Sequence, residues 1–175
     1  MCGIIAAATD RSVGKLLVQG LHKMEYRGYD SAGIALHQED GVAHLRTLGK
    51  VNSLEERMIQ EKPRGKVGIA HTRWATHGEP SESNAHPHAS KNRVFIVHNG
   101  IIENYLDLKN ALTEKGYVFQ SQTDSELIAH LIDSFLNNGK NMIESMQFLK
   151  ANLKGAYAIA AIDQEDSNNF YLARN

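Results

Sequence analysis

Apolar and polar positions alternate between two periods along this chain, and the switches predict its elements. Gly3 to Ala8 is a short apolar run ended by Thr9-Asp10, which predicts a buried strand. Ser12 then stands where a helix cap would, ahead of a helix from Val13 to about Tyr26. Val13, Leu16, Leu17, Leu21 and Met24 share one face of it. Gly33 to His37 and Val42 to Leu48 flank Glu39-Asp40-Gly41, and the Asp-Gly pair predicts a hairpin. Ser53 and Glu56 fit a capping box opening a charged helix to about Lys62, which Pro63 and Gly65 end.

Lys66 to His71 and Arg93 to His98 read as strands on either side of a dense polar segment, Thr72 to Asn92. Asn104 to Lys115 is amphipathic, with Gly116 placed to stop it. Tyr117 to Gln120 reads as a short strand. Thr123 and Glu126 fit a second capping box, opening a helix to about Asn137 with Leu127, Ile128, Leu131, Ile132 and Phe135 as its stripe. A further helix spans about Asn141 to Leu153, with Ile143, Met146, Leu149 and Leu153 facing inward. Ala156 to Ile162 and Phe170 to Ala173 close the chain as strands. Strands and helices come in pairs, not in strict alternation, which predicts an α+β layered fold with largely antiparallel sheets. Strands apolar on both faces, such as Val94 to Val97, call for two sheets packed together with helices outside.

Composition narrows the classes. The chain has 175 residues, enough for one domain (1–175) with a real core. A net charge of -1 and a pI near 6.8 give no basic bias, so nucleic acid is not an expected partner. No apolar stretch reaches the roughly 18 residues of a membrane span, and no secretory signal opens the chain. A lone cysteine makes no internal disulfide and fits a reducing cytoplasm.

That cysteine is the second residue. Once Met1 is removed, Cys2 carries a thiol and a free α-amine, whose ordinary pKa of about 7.7–8.0 suits a general base near neutrality. An N-terminal amine serving as base to its own side chain is one way to activate a nucleophile; the alternative is an inert buried thiol. Where Met1 is retained, the amine is locked in a peptide bond and the molecule is expected to be inactive. Asn99-Gly100 ends a buried strand and offers a side-chain amide and a backbone N–H to an oxyanion, or is an ordinary turn. Arg73, in His71-Thr72-Arg73-Trp74-Ala75-Thr76-His77-Gly78, suits a carboxylate through two parallel bonds, or forms a structural ion pair. Asp124 caps a helix or holds an ammonium group. A carboxylate binder and an ammonium binder together suggest an α-amino acid, and a thiol with an oxyanion pocket suggests attack on its side-chain amide. Nine histidines raise the question of zinc, but no HExxH helix or second cysteine supports it. No metal or cofactor is expected.

Cys2-Gly3-Ile4, Glu25-Tyr26-Arg27-Gly28-Tyr29-Asp30-Ser31-Ala32-Gly33, His71 to Gly78, Asn84-Ala85-His86-Pro87-His88, His98 to Asn104 and Thr123-Asp124, in this order, closely resemble the glutaminase domain of the isomerising glutamine–fructose-6-phosphate aminotransferases. These belong to the class II glutamine amidotransferases, within the N-terminal nucleophile hydrolases. The resemblance implies a four-layer αββα sandwich and hydrolysis of L-glutamine to glutamate and ammonia. It implies Cys2 as nucleophile with its amine as base and acid, and Asn99 and Gly100 as the oxyanion hole. Arg73 would hold the α-carboxylate, helped by Thr76 and His77, and Asp124 the α-ammonium. Trp74 would lie on a loop closing over glutamine, Arg27 would lie beside the nucleophile, and His86 would belong to the substrate site. In the family, ammonia passes to a sugar-phosphate isomerase domain. The chain stops before the family's glutaminase domain would end. The expected fold is therefore truncated at its C-terminal end, with an unpaired sheet edge and no isomerase domain. A homodimer is left open. The competing reading is a catalytically inactive glutamine-binding or dimerisation fragment.

Overall fold

The computed structural model describes residues 2–75 and 78–175. Two four-stranded sheets lie face to face. One is ordered β1-β4-β2-β3, from Gly3–Ala8 (β1), Ser31–Gln38 (β2), Gly41–Leu48 (β3) and Val67–Arg73 (β4). The other is ordered β5-β6-β7-β8, from His88–Ser90 (β5), Val94–Gly100 (β6), Tyr157–Asp163 (β7) and Tyr171–Arg174 (β8). Every strand pair is antiparallel. Helices α1 (Gly14–Met24) and α2 (Val51–Glu61) cover the first sheet. Helices α4 (Glu126–Asn137) and α5 (Met142–Asn152) cover the second, and α3 (Tyr105–Glu114) packs on α4. The result is the expected αββα sandwich.

Three apolar layers hold it. Leu17, Leu21, Ile34 and Leu54 fill the space between the first sheet and its helices. Ile69, Phe95, Val97 and Ile162 fill the space between the sheets. Ile96, Leu127, Ile128 and Ile132 fill the space under α4 and α5. Strands β4 and β6 are sandwiched on both faces, which is why they read as continuous apolar runs.

Several local expectations fail for one reason: tertiary partners take over from sequence-local caps. Ser12 does not cap α1; Val13 stands at that position with no side-chain cap, and its own N–H donates to Gly65 O at 2.8 Å. Helix α2 starts two residues before Ser53, because the distant Glu25 carboxylate accepts the Val51 N–H at 2.7 Å. Glu126 closes no capping box; its carboxylate turns back to the N–H groups of Gln120 and Ser121. Those bonds hold 117–120 as irregular chain where a strand was expected. Among the described residues only α5 carries a full capping box, Asn141 with Glu144. Leu16 and Ile143 point outward, at 52 % and 62 % exposure, and Val18 takes an inward place on α1. Strand β5 lies inside the segment read as polar loop.

At one edge the inter-sheet layer turns polar. The His71 and His86 rings lie 4.1 Å apart and those of His86 and His88 4.6 Å apart, edge to face. His44 Nε2–H donates to Pro87 O at 2.7 Å. Burial strips these imidazoles of water and disfavours their charged forms. It pushes His71 and His88 down to about 3 and His44 to about 4, with His86 also well below its ordinary value. Among the described residues no group of three histidine, cysteine or acidic side chains has metal-holding geometry, and no helix is long and apolar enough to cross a membrane.

Two outcomes are expected. Leu17→Ala should cost about 2–5 kcal/mol in urea unfolding, and Leu16→Ala within about 0.5 kcal/mol; equal losses would reverse the assignment of the buried face. In acid, the unfolded chain binds protons from the ordinary histidine value of 6.5 downward, while the folded chain resists until about 3. Stability is therefore complete above about pH 6.5 and falls progressively below it. The urea midpoint should drop between pH 7 and pH 5, less steeply in His44→Gln; a flat midpoint would contradict neutral burial.

Candidate active site

Four strand ends meet at one end of the sandwich. Gly3 opens β1 opposite Thr72, and Ser31 opens β2 opposite Arg73, so the start of these strands meets the end of β4. Strand β6 of the other sheet ends nearby at Asn99-Gly100. Cys2 Sγ accepts the Trp74 N–H at 3.3 Å. The Asn99 side chain crosses between the sheets: its Nδ2 donates to Cys2 O at 3.1 Å. Its Oδ1 accepts from His71 Nε2 at 2.9 Å. An amide oxygen only accepts, so neutral His71 must carry its proton on Nε2. Both ends of the amide are thereby fixed. One of its two N–H donors is used on Cys2, and the other has no partner among the described residues.

Gly100 completes the strand end with φ of +132°, a left-handed backbone that side chains disfavour. A Cβ there would also lie 2.7 Å from Tyr157 Cα.

Cys2, Asn99 and Gly100 line one small cavity together with Arg73, Trp74, His86 and Asp124. Arg73 is buried, and its guanidinium reaches Gly78 O at 3.2 Å. Asp124 accepts the Ile102 N–H at 2.8 Å and lies 3.9 Å from His98 Nδ1. Burial holds His98 below its ordinary value against the pull of Asp124, and its Nδ1 meets Ser125 Oγ at 2.8 Å. Trp74 is 44 % exposed and edge-on to Tyr29, ring centroids 5.2 Å apart. The following residue is tied down as well, since the Asp30 carboxylate accepts the Ala75 N–H. The cavity measures about 40 Å³, well below the roughly 300–1,000 Å³ of an ordinary small-molecule site, and Trp74 is a wall of it that faces solvent.

Of the residues anticipated from sequence, these seven converge. Arg27 does not line the cavity; it ends a single 3₁₀ turn, Glu25–Arg27, between α1 and β2. Thr76 and His77 lie outside the described residues, as does Met1. The sequence reading missed His71 as the support of Asn99. It also missed His98 and Ser125, which flank Asp124 and line the cavity. The signal was there in His71 and His98, each placed on a strand beside a suspected site residue.

A thiol, a free amide N–H, a guanidinium and a carboxylate around one cavity form a constellation suited to an amino acid carrying an amide. Comparisons with known proteins agree. Residues 71–175 match the family model described as "Glutamine amidotransferase domain". The chain is 51% identical over 176 residues to the glutamine–fructose-6-phosphate aminotransferase [isomerizing] of Haemophilus ducreyi, covering 100% of this chain and 29% of that one. It is 48% identical to the Vibrio parahaemolyticus protein of the same name, with the same coverage. The chain thus spans 29% of the length of these relatives. Among solved structures, glutamine phosphoribosylpyrophosphate amidotransferase from B. subtilis is similar at 25% identity and a TM-score of 0.80, over 99% of this chain and 36% of that chain. A structure described as the allosteric regulatory enzyme of purine biosynthesis is similar at 26% identity and a TM-score of 0.79, over 94% of this chain and 36% of that one. With fold, strand-end geometry and sequence in agreement, this chain belongs to the glutamine amidotransferase domain family.

Proposed function

We propose that this chain, as one domain over 1–175, hydrolyses L-glutamine to glutamate and ammonia with Cys2 as nucleophile. The observation that carries the reading is the Asn99 bridge: one amide N–H on the Cys2 carbonyl, the other left over, in the cavity that holds the thiol.

With Met1 removed, the Cys2 α-amine takes the thiol proton, and the sulfur attacks the side-chain carbonyl carbon of glutamine. The C–S bond forms as the carbonyl π pair moves onto oxygen. The spare Asn99 N–H and the Gly100 N–H receive that charge, as donors preorganised where it develops. The π bond re-forms as the C–N bond breaks, and the amine returns its proton to departing ammonia. Water, deprotonated by the same amine, then cleaves the γ-glutamyl thioester to glutamate and restores the thiol. Arg73 pairs with the substrate α-carboxylate, with Thr76 and His77 as further donors, and Asp124 takes the α-ammonium. Trp74 closes the cavity, and His86 forms part of its wall. His71 acts through Asn99 by holding its amide in the productive orientation.

In a protein of the relatives' kind, the ammonia would serve a sugar-phosphate isomerase domain that aminates fructose 6-phosphate, and the work would be done in the cytoplasm.

Glutamate release should be measured on protein whose mass shows Met1 removed. Cys2→Ala should abolish turnover and retain glutamine binding; residual turnover would overturn the nucleophile. Asn99→Ala should lower kcat by about 10²–10³-fold, the usual effect of losing one oxyanion donor. Arg73→Lys should raise KM more than it lowers kcat, since the bidentate fork is lost while the charge remains.

A further inference from the structure

A second cavity of about 440 Å³ opens on the side of the sandwich, where edge strand β3 of one sheet meets edge strand β5 of the other. The chain between α3 and α4 roofs it. None of the chemistry above uses it. Its volume falls in the range of ordinary small-molecule sites, about 300–1,000 Å³.

Its most unusual lining group is Arg46. The residue sits on β3 opposite Gly33, against which the His86 carbonyl packs. Its guanidinium reaches toward the chain that leads into β5, at an edge where His86 and His88 are buried and neutral. One nitrogen, Nη1, reaches the Ser83 and Ala85 carbonyls, both at 3.4 Å, the long limit for such bonds. No carboxylate pairs with Arg46 among the described residues; Glu82 and Glu126 act on it only at a distance. Arg57 opposes its charge, and burial depresses its pKa. A half-buried guanidinium this poorly matched is poised for an anion, since the planar fork pairs with carboxylate or phosphoryl oxygens through two parallel bonds.

The rest of the lining fits. Glu126, the one acid in the wall, already has its oxygens engaged by the Gln120 and Ser121 N–H groups at 2.7–3.0 Å. Lys91 stands at the rim, 3.2 Å from Asp133 and over the Tyr117 ring. His130 Nε2 is buried, lies 3.5 Å from Glu126 Oε1 and makes no hydrogen bond among the described residues. Tyr117 and Val118 supply apolar surface.

We propose that this cavity binds a small organic anion whose carboxylate or phosphoryl group is taken by the Arg46 guanidinium. The two anion types are separated by titrating inorganic phosphate and acetate in parallel, at ionic strength matched with chloride, while following backbone amide signals. Either anion should shift Ala89, Asn92 and Gly116 saturably, and the stronger of the two identifies the group preferred. Arg46→Gln should weaken that binding at least about tenfold, the loss of one charge-assisted pair. Arg46→Lys keeps the charge without the fork and should weaken it less, which keeps the test open if the glutamine variant does not fold. Silence at those amides in both salts, shifts confined to Cys2 and Gly100, or binding undiminished in the Arg46 variants would overturn the site.

Discussion

The bond from Asn99 Nδ2 to the Cys2 carbonyl is the contact on which the rest depends. It joins Cys2, at the start of β1, to the far sheet, across a distance that the inter-sheet core holds constant. Strand β1 pairs with β4 along its whole length, and β4 packs against β6 and β7 through Ile69, Phe95 and Ala160. Segments near chain ends ordinarily fray. Here pairing on one side and an amide from the opposite sheet hold Cys2 in a defined position.

The same constraint explains why polar groups are tolerated inside. His71 is buried because it must reach Asn99 from the adjacent strand end, and burial keeps it neutral, so it donates from one defined nitrogen. His98 stands likewise beside Ser125 and Asp124. A neutral imidazole avoids most of the desolvation cost that a buried charge would carry. The cost reappears in acid, where the unfolded chain takes up protons that the folded one refuses.

Much of this was legible in the sequence. The apolar runs gave the strands that both layers cover, Asp40-Gly41 gave the hairpin, and paired elements gave two antiparallel sheets. Cys2, Asn99, Gly100, Arg73 and Asp124 stood out at strand or helix ends as groups suited to acyl chemistry or amino-acid binding, and they share a cavity. What was not legible depends on partners far along the chain. Glu25 sets the start of α2 and Glu126 shapes the segment before α4, so the local capping patterns misled. Strand β5 has three residues and exists only through its pairing with β6. Arg46 reads as an ordinary surface charge in a hairpin until the fold sets it beside the carbonyls of Ser83 and Ala85.

The central claim is that the Cys2 thiol, released with its own amine, faces the bound amide. Reaction with a chloromethyl-ketone analogue of glutamine, read by peptide mass mapping, tests it directly. The account predicts one adduct, on Cys2, formed when Met1 is absent, suppressed by glutamine and abolished when Met1 is retained. Labelling of another residue, or equal labelling with Met1 in place, would contradict it.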